Sequence, residues 1–245
     1  MRVVFNIRER MGRVVAAGIG TLFLLACGAL LAFVLSPGQS LEARRIDRLP
    51  EMTAEDVSTA AAGEDILVTG RLEGNAVVAE GGFVAHVQEE WRVTMPTPGS
   101  QSSSQSSKPA GQWQTVQRVV PALALDVDGR SVEILPAGNA RLSGSLHERL
   151  VRSRSFRQAE YNTEMLPEGS MRTRGFFNGD LITVLGSKAS SGGVIPEELY
   201  MGDRVGLVAY KKNAATGLLV GGLCMMGLAP VVLIGGILSA LLGRR

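Results

Sequence analysis

Cysteine and histidine are scarce in this chain, with two of each in 245 residues. Both cysteines, Cys27 and Cys224, lie inside long uncharged apolar runs. The segment between the runs therefore holds no thiol, which excludes a disulfide framework and a thiolate zinc site there. Its stability has to come from a hydrophobic core. His86 and His147 fit no H-E-x-x-H pattern, and neither a G-x-S-x-G elbow nor a P-loop occurs. Aromatic residues make up 5% of a chain that is 45% hydrophobic, so the apolar content is mainly aliphatic, and it collects at the two ends.

What is present begins with those ends. Residues 14–35 carry no charge and, at about 1.5 Å per residue, reach roughly 33 Å, enough to cross a bilayer core. Residues 217–242 are uncharged too, and the second span is placed at 214–242, with Pro230 as a candidate kink. Basic residues flank the outer ends: Arg2, Arg8, Arg10 and Arg13 in residues 1–13, and Arg244 and Arg245 in 243–245. The positive-inside rule puts both termini in the cytoplasm and the intervening domain, 43–210, outside it. Lys211, Lys212, Arg44, Arg45 and Arg48 pull the other way, but they border a long loop, where the rule is weak. For a bacterial chain this means the inner membrane. The box Leu24–Cys27, "LLAC", resembles a lipoprotein cleavage site, but eight apolar residues follow Cys27, so a retained anchor is expected rather than lipidation or a cleaved signal.

The formal charge of +2 conceals the balance of the domain. Six of the 25 basic residues and one of the 23 acidic ones lie outside residues 37–212, leaving that region about three charges negative with the signs interspersed. That does not suit a nucleic-acid surface.

Within the domain the pattern is β. Thr53 is a helix cap with Asp56 in capping-box position and Gly63 as a stop. Valine-rich runs follow at 65–72, 76–80 and 83–95, and in the last of these His86, Gln88 and Glu90 share one face. A Ser/Gln-rich stretch over 97–111 reads as a disordered hairpin loop. Strand-like runs return at 112–120, 122–127, 130–136, 140–146, 158–166, 170–177 and 180–187, whereas 147–157 reads as an exposed basic turn or short helix. Pro196 followed by two glutamates reads as a helix start leading to the membrane, and Pro37-Gly38 as the turn that ends the first span. "ILVTGRLEGN" (66–75) and "MRTRGFFNGD" (171–180) echo one another and suggest two equivalent strand-turn-strand units.

The nearest approach to a metal motif is D-V-D-G at Asp126–Gly129. Counted as an EF-hand loop from Asp126, position five is the cation Arg130 and position twelve is Ala137, so the ligands fail and a hairpin turn is expected. No metal, cofactor or catalytic residue is assigned. The spans hold no ionisable group for an ion path. Small residues at packing spacing, Gly217 with Gly221 and Gly235 with Ser239, are candidate helix-contact or homo-oligomer positions. His86 and Glu90 are candidates for an interaction surface of the domain.

The order of "VTGRLE", "HVQEEWRV", a variable polar insert, "VVPALALDVDGRSVEILPAGNARL" and "YNTEMLPEGSMRTRGFFNGDLITVLGS" between two spans resembles the GIDE, or beside-a-membrane, domain. That domain is the non-catalytic part of membrane-anchored ubiquitin ligases of mitochondria and plastids, and it also occurs in bacteria and archaea. The resemblance covers residue 43 to about 240, although Ala122 stands where the family prefers phenylalanine. It implies a mainly β domain of two small barrel-like or OB-like units between two transmembrane helices. The ligases carry a RING finger after the second span, and no Cys/His cluster with zinc spacing occurs in these residues, so ligase activity is not carried over. The expectation is a non-enzymatic binding or sensing module with a protein or small-ligand partner. The alternatives are an accessory subunit of an envelope complex, a component working with a separate ligase, and a hydrolase whose site assembles only in space.

Overall fold

A computed structural model describes residues 2–95 and 109–242. They fall into two compact units, one holding Met1–Arg48 and Val208–Arg245, the other Leu49–Leu207.

In the helical unit, α1 (Arg2–Ala29), a π-helical stretch (Leu30–Leu35) and α2 (Ser36–Arg48) run on without a break. The turn expected at Pro37-Gly38 does not form. The N–H of Ser36 already reaches five residues back, to the carbonyl of Leu31, so the ladder is widened where Pro37 enters. A wide turn leaves room for a ring that would otherwise crowd the carbonyl four residues earlier. In this unit the first helix packs against the C-terminal helix. A Cβ on Gly28 would lie 2.7 Å from the Gly222 carbonyl oxygen, and one on Gly222 would lie 2.6 Å from that of Gly28. Thr21 donates to its own helix at Ala17 (2.8 Å) and across to Ala229 (3.3 Å), and Ser36 donates to Ala215 (3.0 Å). From Gly28 to Ser36 is eight residues, and from Gly222 to Ala215 is seven. The π turn absorbs that extra residue and keeps both contacts on one seam. Beyond the apolar runs, Lys211 meets Glu42 at 3.1 Å and Lys212 meets Asp47 at 3.2 Å.

Val14–Arg48 and Arg204–Ser239 are long and apolar enough to cross a membrane, and only 17% and 11% of their apolar windows is buried. Leu22, Phe23, Val231 and Ile234 stand exposed. This is compatible with a membrane-embedded protein and unlike the core helix of a soluble one.

The other unit opens with α3 (Ala54–Thr59). Thr53 and Asp56 form the expected capping box, and the hydrogen bonds from Thr53 hold the Asp56 carboxyl below its ordinary range. Twelve strands follow among the described residues. They are β1 (Asp65–Leu72), β2 (Ala85–Thr94), β3 (Ala110–Val119), β4 (Leu123–Val127), β5 (Arg130–Ile134) and β6 (Arg141–Gly144), then β7 (His147–Val151), β8 (Gln158–Tyr161), β9 (Glu164–Pro167), β10 (Met171–Phe176), β11 (Leu181–Lys188) and β12 (Val194–Met201). The chain ends in α4 (Arg204–Leu242), with Pro230 inside it.

Five strands close a barrel in the order β1-β4-β5-β12-β11 and back to β1. All neighbours are antiparallel except β5 and β12, which meet in parallel at Ile134 and Val194. Ile66, Leu125, Ile134, Ile182 and Leu199 fill the interior, and Val57 of α3 joins the same cluster. Asp128 (φ 52°) and Gly129 (φ 80°) form the two-residue turn between β4 and β5, which is the hairpin read from D-V-D-G.

The remaining strands come from two insertions into this circuit. An open sheet, β3-β2-β10-β7, lies beside a β8–β9 hairpin. One closed barrel and one open sheet thus stand where two barrel-like units were expected. The two echoed motifs separate, since β1 belongs to the barrel and β10 to the open sheet. Their glycine turns nevertheless meet: Asn75 N–H donates to Asn178 Oδ1 (3.1 Å) and Asn178 Nδ2 donates back to the Asn75 carbonyl (2.8 Å).

Three local expectations are corrected. Residues 147–151 are a strand, β7, because every residue from His147 to Val151 pairs with β10. Residues 76–80 make only an isolated bridge, Ala79 to Phe83. Pro196 opens no helix and instead lies in β12 opposite Gly186, beside a register shift that leaves Glu197 unpaired, the kind of irregularity at which a strand tolerates proline. The loop expected over 97–111 lies outside the described residues as far as 108, and Ala110 and Gly111 open β3.

The seam of the helical unit predicts a cross-linking pattern. In a chain with Cys27→Ser and Cys224→Ser, the pair Thr21→Cys and Ala229→Cys should cross-link readily. Adding Gly222→Leu should cut the yield several-fold, while adding Gly217→Leu, which faces open space, should leave it unchanged.

Candidate functional site

The open sheet has two unlike faces because strand residues alternate sides. One face packs against the β8–β9 hairpin. Trp91, Val93, Ala159 and Leu166 form its buried core; Tyr161 meets Trp91 and Trp113 edge to face at 5.3 and 5.5 Å, and the two indoles lie tilted at 5.1 Å. Glu89 is buried among them. Its Oε2 accepts from Arg172 Nε (3.0 Å) and Arg174 Nε (3.0 Å), and Arg172 also donates to the Tyr161 hydroxyl (2.9 Å). The Arg172 guanidinium lies 4.3 Å from the Trp113 ring centroid. Glu89 is thus an interior anchor of the sheet.

The other face carries a groove of about 310 Å³. Strand register makes its composition explicit. Gln117, Gln88, Thr173 and Arg149 stand opposite one another on β3, β2, β10 and β7, a polar row across four strands. At about 4.8 Å per strand the row is roughly 14 Å long. One row further on stand Val119, His86, Gly175 and His147. Gly175 can bear no side chain, since a Cβ would fall 2.0 Å from the Ala85 carbonyl oxygen. On the other side lie Met171 and Val151. The loop through Val78, Ala79 and Glu80 folds over the open end, and Glu80 pairs with Arg149 at 3.2 Å.

His86 is the buried polar group of this face. It is 5% exposed, and its Nδ1 has no hydrogen-bond partner among the described residues. Burial lowers its pKa from 6.5, so the ring is neutral at pH 7 and acts as a hydrogen-bonding group, not a cation. An unsatisfied buried polar atom costs about 1–3 kcal/mol. The atom is closed off from solvent, as are the unpartnered Trp91 Nε1 and Trp113 Nε1 on the opposite face, so His86 gives the groove wall its ring and not a free nitrogen. His147 differs: its Nε2 lies 3.0 Å from Asp180 Oδ1, and its ring stacks on Phe177 at 4.2 Å.

No family model, curated protein or solved structure matches the chain.

The structure places His86 in the groove, whereas Glu90 does not line it and pairs with Arg92 at 2.8 Å. Gly217, Gly221 and Gly235 have nothing within 4 Å of a Cβ, and Ser239 bonds to its own helix at Gly236. Among the described residues they make no contact with another helix. Gly28, Ala32 and Gly222 make it instead, and the small-xxx-small spacing of Gly28 and Ala32 was the available signal. The groove residues Glu80, Gln117, Arg149 and Thr173 escape sequence reading because they lie on separate strands and a loop. Among the described residues no group of three His, Cys, Asp or Glu side chains is placed to hold a metal.

Two outcomes follow. Glu89→Ala leaves Arg172 and Arg174 without their buried carboxylate and should cost about 3–5 kcal/mol in denaturant unfolding. For His86, the unfolded chain takes up a proton near pH 6.5 and the folded chain only at lower pH. The stability tied to the neutral ring is complete above that value and is lost as pH falls from it through the folded pKa. Unfolding curves should show wild type losing more stability between pH 7 and pH 5 than His86→Gln.

Proposed function

We propose that this chain is a membrane-anchored, non-enzymatic binding or sensing module of the GIDE type, and that the groove over Gln88 and Thr173 is where it binds. The observation that carries this reading is a preformed groove crossed by an unbroken row of polar side chains, Gln117, Gln88, Thr173 and Arg149. The GIDE assignment rests on the motif order and on a β-rich domain between two apolar helices. The barrel circuit supports its OB-like part: β1-β4-β5-β12-β11, with the parallel β5–β12 contact, corresponds to a five-stranded OB barrel, a fold whose strand face and loops bind polar oligomers. The open sheet then takes the place of the second β unit. With basic residues outside both spans, the domain is assigned to the extracytoplasmic side of an inner membrane, with the termini in the cytoplasm.

A second reading, an accessory subunit of a larger membrane complex, draws on the unfilled face of α4 at Gly217, Gly221 and Gly235. Blue-native gels separate the two, because Gly217→Leu with Gly221→Leu should dissolve a complex built on that face and leave an autonomous module unchanged.

The test of binding uses the full chain in lipid nanodiscs with labelled Met171 and Thr173 methyl groups, screened against small polar fragments. Shifts at these methyls without product formation are expected. Turnover of any substrate that is lost in His86→Ala or His147→Ala would overturn the reading.

A further inference from the structure

We infer that the groove takes a short extended peptide ending in a free carboxylate and an aliphatic residue, with Arg149 receiving the carboxylate in exchange for Glu80. The inference rests on the groove being a binding site, and it names the ligand from the side chains there.

Arg149 is the cation at the end of the polar row, and Glu80 is its ionic partner among the described residues. The pair is weakly held. Glu80 is 90% exposed, Arg149 is 45% exposed, and one nitrogen–oxygen contact at 3.2 Å joins them. Exposed pairs of this kind contribute about 0–1 kcal/mol, whereas a guanidinium can hold a carboxylate through two parallel bonds. Glu80 therefore occupies, loosely, the position a ligand carboxylate would hold more firmly. It sits on a loop that reverses through Gly81 (φ 94°) and Gly82 (φ 93°), and a Cβ on Gly81 would come within 3.4 Å of the Arg149 side chain. The loop thus packs on the arginine through a residue with no side chain.

The rest of the row fits a peptide backbone. Gln88 and Gln117 each present an amide donor and an amide acceptor, which match the N–H and C=O of a peptide unit, and Thr173 adds a hydroxyl. None of these three side chains has a hydrogen-bond partner among the described residues. A row of roughly 14 Å suits about four extended residues at 3.3–3.6 Å each. Val151 and Met171, beside Arg149 and Thr173, offer an aliphatic lining for the terminal side chain, and Val119 flanks the far end of the row. A nucleobase would need an aromatic platform. Trp91, Trp113 and Tyr161 lie on the opposite face beneath Arg172, and the ring of His147 is already stacked on Phe177.

The experiment is fluorescence anisotropy on the full chain in nanodiscs, with an N-terminally labelled Gly-Ala-Ala-Val peptide as the free acid and as the C-terminal amide. The acid should bind at least tenfold more tightly than the amide. Arg149→Met should erase that preference, and Arg149→Lys should keep part of it. Glu80→Gln, a change on an exposed loop that leaves the fold intact, should tighten the acid several-fold by removing the internal competitor. Equal affinity for acid and amide, a preference that survives Arg149→Met, or no effect of Glu80→Gln would overturn the inference. So would glucuronate binding where the peptide does not. If the peptides fail while the fragment screen still shifts the Met171 and Thr173 methyls, the ligand class alone is wrong. If the fragment screen is silent too, the binding reading falls with it.

Discussion

The buried carboxylate of Glu89, shared between Arg172 and Arg174, is the interaction on which the open sheet depends. It ties β2 to β10 on the side away from the groove, and through Arg172 it reaches Tyr161 on the hairpin and the face of Trp113. Ionic groups inside a protein are tolerated only when the pairing is nearly complete. Here one carboxylate meets two guanidiniums and the aromatic rings cover them. With that side fixed, the other side of the same strands holds Gln88, Thr173 and Arg149 in one row without needing bonds among themselves. The lower face pairs its charges internally, although Trp91 Nε1 and Trp113 Nε1 find no partner there, and the upper one keeps free hydrogen-bonding groups.

The barrel and the open sheet divide the labour in a similar way. The barrel is filled with aliphatic side chains and closes on itself, leaving no unpaired edge in its circuit. The open sheet grows from its two insertions, and the paired turns at Asn75 and Asn178 stitch the first insertion to the end of the second. The echo seen in the sequence is therefore real as a local contact and does not mark two equal domains. In the helical unit the same economy holds. Gly28 and Gly222 allow the backbones to approach, the π turn keeps the register, and Glu42 and Asp47 meet Lys211 and Lys212 beyond the apolar lengths.

How much of this could be read in advance depended on the range of the signal. β1 was legible residue by residue, as were the Thr53 capping box and the Asp128-Gly129 turn, because each is set by neighbours within a few positions. The face shared by His86, Gln88 and Glu90 followed from alternation alone. Three readings failed where a distant partner or a backbone irregularity overrode local preference. Pro37 and Gly38 stayed helical behind a π turn, Pro196 entered a strand at a bulge, and the basic run at 147–151 became a strand because β10 was there to pair with it. The groove was half visible for the same reason: β2 supplied its face, but Thr173 and Arg149 reach it only through the pairing of β10 and β7.

The central claim is that this groove, and no other surface of the domain, is where the chain meets its partner. It is tested most directly by a high-resolution structure of the full chain in a lipid environment, solved after exposure to a mixture of small polar fragments. The account predicts fragment density over Gln88 and Thr173, with a polar atom within hydrogen-bonding distance of one of these side chains. Density confined to other surfaces, with the groove holding only disordered solvent, would contradict it.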